Sequence, residues 1–311
     1  MLMDGDYVLV IGSAVLEVSA RTVAVLQPGI RQAGHIYRSV SGVARNIAEN
    51  LARLDIETVL LCAVADDDIG QHVITHSSLA GIDCSHVLRV SDAHTATAIL
   101  LYQSADDYTR VDDLGIVDAL DSDYLLEHEW LFENATLIVI DATLSEEALD
   151  TLFELAARYQ VRVCADPTSP RLASRLSKYI ASLYLIAPNA SETAALCSLD
   201  EPATERESAT GTARQLVSMG ADIAVVTLGE RGLAYADSSG GGYLRAIQTE
   251  VVDASGAGDA FSGAVIFGIL NDVPIDEAMR LGVAAASLTL LCEDTVLQSL
   301  NADMLYDELG A

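Results

Sequence analysis

Short apolar runs alternate with longer amphipathic repeats along this chain, and that alternation predicts its architecture. Residues 7–12 (YVLVIG) form an apolar run closed by glycine, read as a first core strand. From Ser13 to Val40 the pattern is irregular, with turn signals at Pro28-Gly29 and Ala33-Gly34, which suits a small lid better than core. Val43, Ile47, Leu51 and Leu54 then recur at helical spacing, with Asn46, Glu49, Asn50 and Arg53 on the opposite face. A strand over 58–64 and a helix over 69–79 follow, and 95–103 reads as a β-rich return to the lid that ends near Val111-Asp112-Asp113. Further strands are predicted at 137–140, 161–165, 183–186 and 223–228, with a helix opening at Ser145-Glu146-Glu147. The alternation implies one α/β domain over 1–311: a doubly wound, mainly parallel sheet flanked by helices, its lid made of insertions at about 13–40 and 95–113. Ligands bind such sheets beyond the carboxyl ends of the strands, where Gly12, Asp141, Asp166, Asn189 and Gly229 fall.

Composition narrows the choice of ligand. Aromatic residues make up only 5% of the chain, so the core must be built from Ala, Val, Leu and Ile. The formal net charge is −29 and Lys178 is the single lysine, a surface that repels nucleic acid and anionic membranes. A bound triphosphate would therefore depend on local features: backbone N–H groups, a helix N-terminus, a few arginines and a divalent metal. No basic stretch precedes an apolar one at the start, and no apolar run reaches the roughly 20 residues a bilayer demands. Cys62, Cys84, Cys164, Cys197 and Cys292 form no CxxC pair and read as reduced cysteines of a cytoplasmic protein.

Four segments carry candidate chemistry. The first is Asp253-Ala254-Ser255-Gly256-Ala257-Gly258-Asp259, a small-residue turn that enters a helix. Successive N–H groups at Gly256, Ala257 and Gly258 would form an anion cradle, and Asp259 beside it would accept a proton from an incoming hydroxyl. The helix dipole is expected to keep Asp259 ionised. Taken alone, the same residues also describe a glycine-rich turn whose Asp merely caps a helix. The second is the helix entry at Ser41-Gly42, where Asn46 offers a donor and an acceptor to hydroxyls; an ordinary amphipathic helix explains it equally. In Pro188-Asn189-Ala190-Ser191-Glu192, a capping box alone accounts for Asn189 and Glu192, and the functional alternative is that they order water around Mg²⁺. In the fourth, Thr227, Gly229 and Gly232 would border a nucleotide phosphate or simply make a tight turn.

In their order and spacing the four segments resemble the PfkB (ribokinase-like) family of carbohydrate and nucleoside kinases over essentially the whole chain. Val64-Ala65-Asp66-Asp67-Asp68-Ile69-Gly70 is similar to that family's VGDDxxG stretch, with Ala65 in the place of glycine. Within the family, VARNIAENLA at 43–52, Asp112-Asp113-Leu114-Gly115-Ile116 and Leu144-Ser145-Glu146-Glu147 resemble the pseudouridine kinases. The resemblance implies ATP- and Mg²⁺-dependent phosphorylation of a nucleoside 5′-hydroxyl, that of pseudouridine. An exposed β-lid commonly needs a partner over its apolar face, so a homodimer joined through the lid is expected. It assigns Asp259 as base and Gly256, Ala257 and Gly258 as anion hole. Asn189 and Glu192 go to the Mg²⁺–phosphate site, and Thr227, Gly229 and Gly232 to the nucleotide. Glu17, Gly42, Asn46 and Asp113 would face the acceptor. Arg45 either touches ligand or pairs with a neighbouring acid, and Asp253 is a candidate for a monovalent cation such as K⁺.

Four departures fall on the acceptor side. Glu17 stands where the family has Asp, Val15 where the closest group has Asn, Ser41 for the first glycine of a Gly-Gly pair, and Gln32-Ala33 for Asn-Pro. A kinase for ribose or adenosine, or a nucleoside-binding protein without catalysis, is the alternative these residues leave open. A dinucleotide-dependent oxidoreductase fits poorly, since Gly12-Ser13-Ala14 lacks the later glycines of GxGxxG.

Overall fold

A computed structural model describes residues 7–23, 29–102 and 108–310. Its strands in chain order are β1 (Tyr7–Ile11), β2 (Val15–Thr22), β3 (Gly34–Ser41), β4 (Thr58–Leu61), β5 (Ala63–Ala65), β6 (Leu88–Val90), β7 (Thr97–Tyr102), β8 (Tyr108–Asp113), β9 (Ala135–Asp141), β10 (Arg162–Asp166), β11 (Leu185–Ile186), β12 (Ile223–Thr227), β13 (Leu233–Asp237) and β14 (Gly240–Leu244). The α-helices are α1 (Val43–Arg53), α2 (Asp68–Leu79), α3 (Ser122–Glu127), α4 (Glu129–Glu133), α5 (Glu146–Tyr159), α6 (Pro170–Ala173), α7 (Ala190–Cys197), α8 (Arg206–Ser218), α9 (Ala257–Leu270), α10 (Ile275–Thr289) and α11 (Ala302–Gly310).

Fully apolar strands build the centre. The sheet runs β14-β13-β12-β11-β10-β9-β1-β4, parallel from β4 through to β12 and antiparallel at the β12-β13-β14 edge. YVLVI in β1 and LIVI (137–140) in β9 are buried on both faces, as a parallel sheet covered by helices requires. Layers of Ala, Val, Leu and Ile fill either side, as the scarcity of aromatics demanded.

Three expectations are corrected. The strand expected over 58–64 breaks at Cys62, and β5 leaves the main sheet to pair with β6. The irregular stretch 13–40 holds two eight-residue strands, β2 and β3. They join β7 and β8 in a lid sheet ordered β3-β2-β7-β8. Alternation was hidden because one lid face lines a polar cavity while the other exposes Ile36, Ile99, Leu101 and Val111. Third, the polar face of α1 is not solvated. Arg45, Asn46, Glu49 and Asn50 are all buried, and Asn50 lies against α9 at Gly263. Pro28 and Gln103, called as turn and strand end, lie outside the described residues.

Asp141, at the carboxyl end of β9, ties the strand ends together. It is wholly buried and its two oxygens receive hydrogen bonds from three segments. Oδ2 accepts from Ser13 N (2.8 Å), Ser13 Oγ (2.6 Å) and Ala44 N (3.1 Å), and Oδ1 from Thr143 N (3.0 Å) and the Thr143 hydroxyl. Removing the carboxylate would leave those buried donors unpaired. Asp141→Ala is therefore expected to cost about 3 kcal/mol or more in urea unfolding. A loss below about 1 kcal/mol, the size of a single ordinary hydrogen bond, would contradict this role.

Candidate active site

Between the lid and the strand ends lies a cavity of about 300 Å³, at the lower end of the size range of small-molecule sites. The lid contributes Glu17 from β2, Leu100 from β7, and Arg110 and Asp112 from β8; the sheet side contributes Ser13, Gly42, Asn46, Thr143, Ser255, Gly256 and Asp259. A second, more open recess of about 360 Å³ is lined by Asn189, Ser191, Thr227, Gly229 and Arg231. Ser169 and Leu172 face the first space and Pro170 the second, so the start of α6 is a wall common to both.

Local geometry explains how Asp259 reaches the cavity floor. Gly256 adopts φ 80°, and a Cβ there would collide with the Thr295 carbonyl, so only glycine makes this turn. The chain then enters α9 directly, with Ala257 and Gly258 in its first turn and Asp259 one residue on. The Asp259 carboxylate accepts from Asn46 Nδ2 at 2.7 Å. Burial pushes its pKa up from 3.8 to about 7; the Asn46 hydrogen bond and Arg110 oppose the rise, while Asp141 and Glu17 add to it. The expectation that the helix dipole keeps this acid ionised is thus corrected, because desolvation outweighs it. A carboxylate half-charged at neutral pH is well placed to take a proton.

Acid is concentrated across the site. Burial raises Glu17, and Arg110 opposes that with its Nη1 3.0 Å from Glu17 Oε2. Arg110 Nε also donates to Asp112 Oδ1 at 2.7 Å, so one guanidinium joins two lid acids. Asp166 is raised well above its ordinary value by burial and by the nearby Glu192 and Asp259. Glu192 is itself raised by burial. Among the described residues no group of three His, Cys, Asp or Glu side chains is placed to ligate a metal directly, and Asp166 and Glu192 line neither space, so a divalent ion here would be held largely through water.

Other candidates are placed as follows. Asn189 and Glu192 form the capping box: Asn189 Oδ1 accepts from Ser191 N and Glu192 N, and Glu192 Oε2 accepts from Asn189 N at 2.8 Å. Asn189 and Thr227 line the recess, whereas Glu192 is turned into the box. Gly232 lines neither space; it packs against the Leu244 carbonyl at the entry to β13, which explains its positive φ of 99°. Arg45 is likewise away from the cavity and ion-pairs with Glu49. Asp113 is exposed, and Asp112 faces the cavity in its stead, since neighbours on a strand point to opposite faces. Asp253 does not fit a monovalent cation here. Its Oδ2 is 2.6 Å from Arg21 Nη2 of the lid and its Oδ1 accepts from Ser255 N at 2.8 Å.

Sequence reading missed Arg110, Asp112, Ser255 and Thr143 as wall residues. A period of two through Arg110 and Asp112, opposite Leu100 and Ala98, was the signal that marks them.

An acceptor-sized cavity, a more open recess sharing the start of α6 with it and a buried acid just past a glycine turn on the cavity lining are the arrangement of a phosphotransferase with an alcohol acceptor, built on a ribokinase-like fold. The chain belongs to the pfkB family of carbohydrate kinases, whose profile matches residues 6–302. It is 30% identical to a pseudouridine kinase of Escherichia coli (strain K12) over 94% of this chain and 93% of the relative. It is 25% identical to a guanosine-inosine kinase of Exiguobacterium acetylicum, over 90% and 93% respectively. In fold it is similar to the Arabidopsis thaliana ribokinase solved with ribose and ATP, with a TM-score of 0.86 and 19% identity across 99% of both chains.

The raised acid carries a stability signature. Since its folded value of about 7 lies above the ordinary 3.8, the native state binds a proton the unfolded chain lacks, and stability falls as pH rises between those values. Asp259→Asn is expected to raise Tm at pH 8 relative to wild type, with the advantage vanishing near pH 4. Thermal scans showing equal Tm at pH 8 would contradict the raised value.

Proposed function

We propose that this chain transfers the γ-phosphoryl group of ATP to the primary hydroxyl of a nucleoside, pseudouridine being the first candidate. The observation that carries the reading is the position of Asp259: on the cavity floor, bonded to Asn46, one turn past the Gly256 entry to α9.

In this reading Asp259 accepts the hydroxyl proton as the new O–P bond forms and the bond from the γ-phosphorus to ADP breaks. N–H groups at Gly256, Ala257 and Gly258 neutralise charge on the moving phosphoryl group. Asn189, Thr227 and Gly229 border the nucleotide in the open recess. Mg²⁺, when bound near Asn189, Glu192 and Asp166, offsets phosphate charge; Asp166 is an addition to the residues expected for this task. Glu17, drawn to Arg110, presents its remaining oxygen to acceptor hydroxyls, with Asn46 opposite. The lid excludes water and so suppresses ATP hydrolysis. The whole chain acts as one catalytic domain with a lid, in a cytoplasmic setting. Asp253, already matched by Arg21, has no assigned cation.

Ribose or adenosine as acceptor is the second reading, favoured by the Glu17–Arg110 pair, which binds a diol regardless of the base attached to it. A coupled ATPase assay over pseudouridine, uridine, adenosine, ribose and fructose phosphates separates the two. Pseudouridine is expected to give the highest kcat/KM, and a clear preference for ribose or a sugar phosphate would overturn the nucleoside assignment. Asp259→Asn is expected to lower kcat about a thousandfold with the fold retained. Near-normal turnover in that variant would remove Asp259 from the mechanism.

A homodimer through the lid is part of the same proposal. Ile36, Ile99, Leu101 and Val111 are exposed, and their pairing across β3, β2, β7 and β8 puts them on the lid face away from the cavity. Light scattering should give a dimer for wild type and a monomer for Ile99→Asp with Val111→Asp. A monomeric wild type would reject it.

A further inference from the structure

Asn46 sits between donors that leave its amide one orientation. A guanidinium only donates, and the amide oxygen only accepts. Arg45 Nη1 lies 3.2 Å from Asn46 Oδ1, so the oxygen must face Arg45 and the NH₂ is left facing Asp259 at 2.7 Å. The Thr295 hydroxyl is also 3.2 Å from that oxygen and 3.4 Å from Val40 O, its alternative acceptor, so it supports the orientation that Arg45 dictates. Neither residue lines the cavity.

Both donors are themselves fixed. Arg45 is 1% exposed, donates to Val40 O at 3.0 Å and Ser77 Oγ at 3.3 Å, and pairs with Glu49, which also holds Arg53 at 2.8 Å. Its Nη2 is 2.8 Å from His76 Nδ1, which must accept because the guanidinium cannot. Thr295 is 4% exposed, and its carbonyl abuts Gly256, so one residue touches both the glycine turn and the Asn46 amide.

We propose that Arg45 and Thr295 are positioning residues that act on phosphoryl transfer through Asn46, locking its amide so that N–H is always presented to Asp259. A flipped amide would set oxygen lone pairs against the carboxylate, and Asp259 would hold its proton more tightly. The locked amide keeps the acid ionisable at neutral pH despite burial. This explains why a complete ion pair, Arg45–Glu49, is buried on the face of α1 beside the cavity without touching it. The inference rests on Asp259 being the proton acceptor. Charged groups near Asp259 are Asp141 from β9, Asp166 from β10, and Glu17 and Arg110 from the lid; those near Arg45 are Glu49, Arg53, His76 and Cys84.

Three variants test it: Thr295→Val, Thr295→Ser, and the double change Arg45→Met with Glu49→Met, which replaces the buried pair by apolar side chains of similar length and so spares the fold. For each, kcat/KM against pH and the carboxyl ¹³C titration of Asp259, assigned by its loss in Asp259→Asn, are measured on the full chain. Thr295→Val and the double variant are expected to move both midpoints upward and lower kcat at pH 7 about fivefold, the size of one lost hydrogen bond. KM for ATP should change little, and Thr295→Ser should restore wild-type behaviour. Lower turnover without a shift in the Asp259 titration would overturn the proposal, as would unchanged profiles in both variants. If the double variant does not fold, Thr295→Val decides alone. The two readings fail separately: an active Asp259→Asn rejects the base, whereas the ¹³C titration reports the positioning without any turnover.

Discussion

The carboxylate of Asp141 is the constraint on which the site hangs. A buried acid is stable only when its lone pairs are filled, and this one is filled by Ser13, Ala44 and Thr143. Those bonds join the end of β1, the start of α1 and the loop after β9 at one point. Once α1 is anchored there, Asn46 is aimed along the cavity floor, and α9 packs against α1 through Gly263 and Asn50. Asp259, in the first turn of α9, then meets Asn46 at 2.7 Å. Parallel strands supply the frame, and a single hydrogen-bonded acid fixes the start of α1 against it.

An excess of acid runs through the molecule, and the site makes use of it. With a net charge of −29 the chain offers little long-range attraction to a triphosphate. Attraction must come from oriented backbone dipoles and, in the proposed reaction, a divalent ion. Arginines are spent on these acids: Arg110 between Glu17 and Asp112, Arg21 on Asp253, and Arg45 together with Arg53 on Glu49. Two of the pairings link elements: Arg110–Glu17 joins β8 to β2, and Arg21–Asp253 joins β2 to the segment before α9. The Arg21 contact, with Tyr102 stacked beneath it, ties the lid to the segment just before the glycine turn. Lid and glycine turn are therefore joined by an ion pair, not merely adjacent.

Much of this could be read from residue order. Strands buried on both faces announce themselves as unbroken apolar runs, and β1, β9, β10 and β12 fall where the pattern put them. Gly42, Asn46, Gly256 and Asp259 also converge as expected, because a glycine entry fixes where the next few side chains point. What stayed hidden depends on contacts distant in sequence. The choice of Asp112 over Asp113 turns on the register of β8 against β7, one residue either way. The roles of Arg45 and Thr295 are invisible until α1 and the 291–300 loop are seen side by side. Asp259 is raised toward 7 by how deeply the neighbouring lid and helices bury it, which no local motif encodes.

Phosphorylation of a nucleoside at its primary hydroxyl is the central claim, and the product reports it directly. Proton-coupled ³¹P NMR of the reaction of ATP with pseudouridine should show a new phosphomonoester whose signal is split into a triplet by the two 5′ protons. A doublet, from a secondary hydroxyl, or inorganic phosphate as the sole new signal beside ADP would contradict it.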